Sequence, residues 1–185
     1  MTNDPLWALI AERALHTGQR ITLSSGKESN YYFDCKPVTL SAAGAPLVGD
    51  AFLRALDGLP ADVSAVGGLT HGADPIIGAL MLRAFANGRA LDGFYVRKQP
   101  KAHGTRRLIE NPPPSGTRVV IVEDVVTSGK SALKAVDEAR LAGCEVVAVI
   151  ALVDRQDGGA QTISAAVPHY IALYERDDFP QIAAG

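Results

Sequence analysis

Thr127, Ser128, Gly129 and Ser131 place three hydroxyls and a glycine within five residues. Such a segment can surround a phosphate with O–H and backbone N–H donors. Just before it stand two adjacent carboxylates, Glu123 and Asp124, followed by Val125 and Val126. Paired acids there suit sugar hydroxyls or a metal ion. The run Val119–Val122 has the β-branched character of a short buried strand, and Ser131–Ala142 has helical apolar spacing. In a parallel sheet, ligands bind at the carboxyl ends of strands, where the next helix presents unpaired N–H groups. The segment reads as a phosphate-plus-sugar site. It has neither the Gly-x-x-x-x-Gly-Lys-Ser/Thr spacing of a nucleoside-triphosphate loop nor the Gly-x-Gly-x-x-Gly dinucleotide turn.

A second cluster is cationic. Arg97, Lys98, Lys101 and His103 fall within seven residues, directly after an apolar run. Their mutual repulsion is costly unless an anion neutralises it. Pro100 and Gly104 frame the segment and suggest a mobile arm; a pyrophosphate leaving group would need its charge. Arg155 ends the apolar run Val146–Val153. Its guanidinium can hold a planar carboxylate through two parallel hydrogen bonds, which lysine cannot copy; the alternative is an Asp154–Arg155 surface ion pair. Gly67, Gly68 and Gly72 lie where backbone amides could approach an anion closely. A tight strand-to-helix turn would use the same glycines. His71 stands alone and reads as a surface or hydrogen-bonding residue.

These groups need a frame. Asp4–His16 reads as a helix with Asp4 as N-cap and Pro5 at its first position. Ile21–Leu23 and Tyr31–Val38 read as strands, and Ala42–Leu56 as a helix. A βα alternation follows: strand Val63–Val66, loop Gly67–Asp74, helix Pro75–Ala86, strand Leu91–Val96, strand Val119–Val122, helix Ser131–Ala142 and strand Val146–Val153. That order implies a single α/β domain over residues 1–185, with a mostly parallel sheet flanked by helices. The core would span about 41–159. The ends, about 1–40 and 160–185, would form a small cap over the carboxyl edge of the sheet.

Composition narrows the class. At 185 residues and 47% hydrophobic, the chain can bury a sizeable core. A net charge of −2 argues against nucleic acid as a partner, which calls for clustered positive charge. Asp4, Glu12 and Arg13 interrupt the first apolar stretch, which is read as neither signal peptide nor membrane span. Cys35 and Cys144 lie far apart and read as reduced structural thiols of a cytoplasmic protein.

The segment from Val119 to Ser131, Val-Val-Ile-Val-Glu-Asp-Val-Val-Thr-Ser-Gly-Lys-Ser, resembles the phosphoribosyl-pyrophosphate (PRPP) motif of the type I phosphoribosyltransferases. Two further segments narrow the resemblance to the orotate phosphoribosyltransferase family. Arg97-Lys98-Gln99-Pro100-Lys101-Ala102-His103-Gly104 resembles its catalytic loop, and Ser25-Gly26-Lys27-Glu28-Ser29-Asn30-Tyr31-Tyr32-Phe33-Asp34 its N-terminal hood. Gly67–Pro75 is similar to its pyrophosphate loop.

The resemblance implies the type I phosphoribosyltransferase fold, with the terminal segments as hood. It implies PRPP binding by Arg97, Lys98, Lys101, His103, Glu123, Asp124, Val125, Val126, Thr127, Ser128, Gly129, Lys130 and Ser131. Lys101 and Asp124 would be catalytic. Thr127 and Arg155 would bind orotate, with Tyr32, Phe33, Gly68 and Gly72 as further contacts to base or pyrophosphate. Tyr32 and Phe33 could equally alternate between core and surface as strand residues. Mg²⁺ would be carried by the substrate, with no direct protein ligand. The implied assembly is a homodimer whose loop 97–107 reaches the partner's site, in pyrimidine biosynthesis. A purine phosphoribosyltransferase would share the PRPP motif without needing a carboxylate clamp. A PRPP-sensing regulator would keep the motif but lack the basic loop.

Overall fold

The structure, a computed structural model, describes residues 4–22, 28–99 and 108–182. Helix α1 (Pro5–Arg13) starts as expected: the Asp4 carboxylate accepts from the Leu6 and Trp7 amides at 3.0 and 3.3 Å, and Pro5 opens the first turn. An antiparallel hairpin, β1 (Leu15–Thr22) and β2 (Glu28–Phe33), follows, then a one-turn helix α2 (Lys36–Thr39) and α3 (Gly44–Leu56). Alternation then sets in with β3 (Ala65–Leu69), α4 (Ala73–Ala86), β4 (Asp92–Val96), the two-residue β5 (Ile109–Glu110), β6 (Arg118–Val126) and α5 (Lys130–Leu141). It ends with β7 (Glu145–Asp154), α6 (Gly159–Ser164), β8 (His169–Glu175) and two 3₁₀ turns, Arg176–Asp178 and Pro180–Ile182.

The main sheet runs β5-β4-β3-β6-β7-β8. Every pairing is parallel except β4 with β5, so the mostly parallel, helix-flanked architecture is present. Strand alternation divides its apolar residues between two layers. Val120 and Val122 pack with α1, α3 and α4, while Val119 and Ile121 pack with α5 and α6. This two-sided cover explains the unbroken apolar run of β6. On the first face the Arg83 guanidinium ties α4 to α3 through both Asp50 oxygens, at 2.5 and 3.0 Å.

Several segments depart from the sequence reading, each for a local reason. The first helix stops at Arg13 because Leu15, His16 and Thr17 pair with Phe33, Tyr32 and Tyr31 in the hairpin. The second strand stops at Phe33, and Pro37 then sits at the start of α2. Gly67 and Gly68 lie inside β3 rather than in a loop. A Cβ at Gly67 would overlap the Phe94 ring, and one at Gly68 would overlap Ala73 and the Val122 carbonyl. Close packing within the sheet therefore requires glycine at these two positions.

The C-terminal segment needs the largest correction. β8 is not part of the hood: it is the parallel edge strand of the main sheet, paired to β7 from Ala148–His169 to Asp154–Glu175. Its inner residues are only half-buried, so it lacks the apolar run that marks a central strand. The tail beyond β8 does reach the N-terminal segment. The Trp7 indole N–H donates to the Asp178 carbonyl at 3.0 Å, Trp7 stacks on Phe179 at 5.9 Å, and the Tyr174 hydroxyl donates to Asp4 at 2.7 Å.

Candidate active site

From β3 the chain crosses outward to β4, then returns to place β6 on the other side of β3. This reversal leaves a crevice at the carboxyl ends of β3 and β6, where open α/β sheets bind ligands. A cleft of about 1340 Å³ opens there. That exceeds the usual ~300–1,000 Å³ of a single small-ligand pocket and suits two substrates side by side.

At the phosphate end, every residue from Val125 to Ser131 lines the cleft. Thr127–Gly129 make the bend, Gly129 adopts φ +79°, and α5 begins at Lys130 with no side-chain cap on its first amides. Those N–H groups, with the hydroxyls of Thr127, Ser128 and Ser131, form an anion cradle.

The two acids differ sharply. β6 continues past Val122, so Glu123 and Asp124 stand within the strand, Glu123 opposite Ala151 of β7. Glu123 is buried, and its Oε2 has no hydrogen-bond partner. Burial pushes its carboxyl well above the ordinary 4.5, the negative charge of Asp124 pushes further, and Lys98 opposes. Asp124 is only half-buried, lines the cleft, and accepts from the Val125 amide at 2.9 Å. Gly72 lies against it, leaving no room for a Cβ. Buried Cys35 lies near enough that Asp124, after desolvation, helps raise its thiol.

Arg155 follows β7 beside this segment, its amide donating to the Val126 carbonyl at 2.9 Å, and it is 3% exposed. The Asp154–Arg155 ion pair does not form, because Asp154 accepts from the Tyr170 hydroxyl at 2.8 Å and the Gln156 amide at 2.7 Å. The Arg155 guanidinium instead lies 4.6 Å over the Tyr31 ring, donates to Ser29 Oγ at 3.3 Å and meets Asp157 at 3.4 Å. Its Nε has no partner. A buried, oriented guanidinium with an unused donor, on the cleft wall, is prepared for a planar anion. Thr127 lines the same cleft. Tyr32 and Phe33 both line the cleft: Tyr32 is 37% exposed and stacks with His16, and Phe33 is buried against Tyr31 and Phe179.

The basic segment divides. Lys98 lines the cleft, and its carbonyl accepts from Lys134 Nζ at 2.5 Å. Arg97 does not line the cleft: antiparallel β5 brings Glu110 beside it, and the two form an ion pair at 3.2 Å. Lys101 and His103 lie outside the described residues, as do Ser25 to Lys27 of the hood motif. Gly72 lines the cleft and Gly68 does not. His71 lines it too, but its side chain is 84% exposed and bonded to Asp74.

Sequence reasoning missed Lys36, Arg176 and the bracing role of Tyr31, all on the cleft wall. Lys36 pairs with Asp34 at 3.1 Å and lies within electrostatic range of Asp124. Arg176 sits in Glu-Arg-Asp-Asp, which reads as a solvated charged tail.

With this geometry in view, relatives settle the family. The chain is 47% identical over 171 residues to the orotate phosphoribosyltransferase of Streptomyces avermitilis, covering 91% of this chain and 92% of that protein. The chain belongs to the orotate phosphoribosyltransferase family. Within that family it is also 46% identical to the Sorangium cellulosum protein, over 95% of this chain and 92% of the relative. The phosphoribosyl transferase domain model matches residues 90–167, from β4 through α6. Among solved structures, the Mycobacterium tuberculosis family member in complex with 5-phospho-α-D-ribosyl 1-diphosphate superposes with a TM-score of 0.77. It is 38% identical, with 94% of this chain and 96% of that chain covered.

Magnesium fits the chemistry of this donor set in one way. Among the described residues, no three His, Cys, Asp or Glu side chains gather as a metal site. Asp124 offers a hard carboxylate oxygen at the cleft wall, so a hard, hydrated ion would take most of its ligands from phosphate and sugar oxygens. No helix among the described residues is long and apolar enough to cross a membrane.

Proposed function

We propose that the protein transfers the ribose 5-phosphate group of PRPP to orotate, giving orotidine 5′-phosphate and pyrophosphate in cytoplasmic pyrimidine biosynthesis. The observation that carries this reading is Arg155, a buried guanidinium with a free Nε on the wall of the cleft that Val125–Ser131 also line. A purine base would give that group no carboxylate to hold.

Val125–Ser131 hold the 5′-phosphate, and Asp124 meets the ribose hydroxyls. Arg155, oriented by Tyr31 and Ser29, grips the carboxylate of orotate and presents its ring nitrogen to the anomeric carbon. The bond to pyrophosphate breaks as the nitrogen–carbon bond forms, and the carbon passes through oxocarbenium character. The Asp124 charge opposes that developing positive charge. Burial, then the charge of Asp124, favours the protonated form of Glu123. Lys98, with Lys101 and His103, neutralises the departing pyrophosphate. Arg97 anchors the root of this loop to Glu110. Mg²⁺, when bound, supplies further charge neutralisation at the pyrophosphate oxygens.

The working unit in this proposal is a homodimer in which the loop 97–107 of one subunit closes over the other's cleft. Closure excludes water and so suppresses hydrolysis of PRPP. The test offers the purified protein PRPP and Mg²⁺ with orotate, adenine or hypoxanthine and analyses the nucleotides formed. Orotidine 5′-phosphate as the sole product is expected; a purine nucleotide would refute the assignment.

A further inference from the structure

The base end of the cleft holds a second guanidinium. Arg176, in the 3₁₀ turn Arg176–Asp178, lines the cleft with Tyr31 and Arg155. Arg155 lies on the face of the Tyr31 ring. Arg176 lies within electrostatic range of Tyr31, which after Asp177 favours its charged form. β7 and β8 are parallel neighbours with Asp154 beside Glu175, so Arg155 and Arg176 leave the same carboxyl edge of the sheet.

The turn is held in place from both sides. The Glu175 amide donates to Asp178 at 2.8 Å, the Asp178 carbonyl accepts from Trp7 at 3.0 Å, and Phe179 is buried. Arg176 is thus presented by a fixed backbone, unlike an arginine on a frayed tail. Its acid partner, Asp177, sits 2.9 Å from Nε, is 67% exposed and does not line the cleft. The arginine itself is 36% exposed. Arg176 thus lines the cleft while its acid partner does not.

Arg155 pairs with Asp157 and Arg176 with Asp177, yet a guanidinium carries five N–H donors, so each cleft-lining side chain can still meet an incoming carboxylate. We propose that Arg176 is a specificity-determining residue of the base end, which pairs with Arg155 to select a pyrimidine that carries a carboxylate. This assignment rests on the function proposed above. Arg155 is buried and fixes the geometry of the carboxylate. Arg176 is more exposed, and it adds field and a donor at the rim. The cleft would then discriminate by charge as well as by shape, favouring orotate over the uncharged uracil.

The experiment compares wild type, Arg176→Gln and Arg176→Lys in steady-state assays with orotate and with uracil. KM for PRPP and thermal stability are measured alongside. Arg176→Gln keeps much of the packing and removes the charge. It is expected to raise the orotate KM roughly 10-fold, the scale of one partly exposed charge-assisted contact, and to narrow the preference for orotate over uracil. PRPP KM and kcat should change little. Arg176→Lys should recover part of the preference because it restores charge without the planar fork. An unchanged orotate KM and preference in a stable Arg176→Gln protein would overturn the proposal, leaving a surface ion pair with Asp177. An equal rise in both substrates' KM with lowered stability would also overturn it, since that marks a structural role. A wild type that ignores orotate would overturn the function itself, an outcome distinct from either.

Discussion

The Arg155 guanidinium rests 4.6 Å above the Tyr31 ring, and the Tyr31 hydroxyl donates to the carbonyl of Arg155 at 3.4 Å. Two residues 124 positions apart thus brace each other across the hood and the end of β7. The ring offsets part of the desolvation cost of a buried cation and fixes the guanidinium plane. A base entering the cleft finds its anchor already oriented.

Arg155→Ala should therefore weaken orotate binding by up to about 3 kcal/mol, a rise of roughly 100-fold in orotate KM. PRPP KM should hold. Tyr31→Ala should follow in the same direction with a smaller effect, while Tyr31→Phe, which keeps the ring, should fall closest to wild type. Steady-state kinetics with each substrate varied separately would decide, and an unchanged orotate KM in Arg155→Ala would remove this residue from the base site.

Asp124 should matter for turnover rather than for binding. Asp124→Asn keeps the shape and loses the charge opposing the oxocarbenium ion, so kcat should fall more than about 10-fold. Gly72→Ala provides a test from the neighbouring loop. Its added Cβ would collide with the Asp124 carboxylate, so kcat should drop although no ligand-binding group is deleted. Near-normal turnover in both variants would reduce Asp124 to a structural acid.

Glu123 gives a pH signature. Burial, then the charge of Asp124, raises its pKa above the ordinary 4.5, so the folded state holds this proton more tightly than the unfolded chain. The stabilisation is fully present below about 4.5 and is lost as pH rises through the folded value. Glu123→Gln cannot ionise. Its melting temperature relative to wild type should climb as pH increases across that window. A difference independent of pH would mean that Glu123 ionises as freely in the folded protein as in the unfolded chain.

The proposed dimer predicts complementation. Lys101→Ala and Asp124→Ala should each be nearly inactive, since every site lacks one partner. In a mixed dimer, one site carries both defects and the other neither. Equal mixing with subunit exchange should recover roughly a quarter of wild-type activity, given random pairing into two-fold dimers. Mixed dimers verified by mass spectrometry that remain inactive would place the loop over its own subunit's cleft.

What could be read in advance follows from how locally each signal is written. β6 and its turn were legible because a strand covered on both faces is apolar throughout, and its hydroxyl-glycine bend must stand at its carboxyl end. Asp4 with Pro5 announced α1 in the same way. β8 was not legible, since an edge strand needs no continuous apolar run and His169–Glu175 is only half-buried. Gly67 and Gly68 read as a loop because nothing local reveals that Phe94 and Val122 fill their side-chain space. The Arg97–Glu110 pair depends on a two-residue strand, too short to leave a pattern. Lys36 and Arg176 reach the cleft through tertiary placement alone, so their local sequence carries only charge.

The central claim is the exchange of one base for one pyrophosphate on the same sugar carbon. Its most direct measurement follows the loss of orotate absorbance in the presence of PRPP and Mg²⁺, with released pyrophosphate quantified in the same reaction. The account predicts that orotate disappears only when PRPP is present, in one-to-one ratio with pyrophosphate. Pyrophosphate release without loss of orotate, or no reaction of orotate by folded wild-type protein, would contradict it.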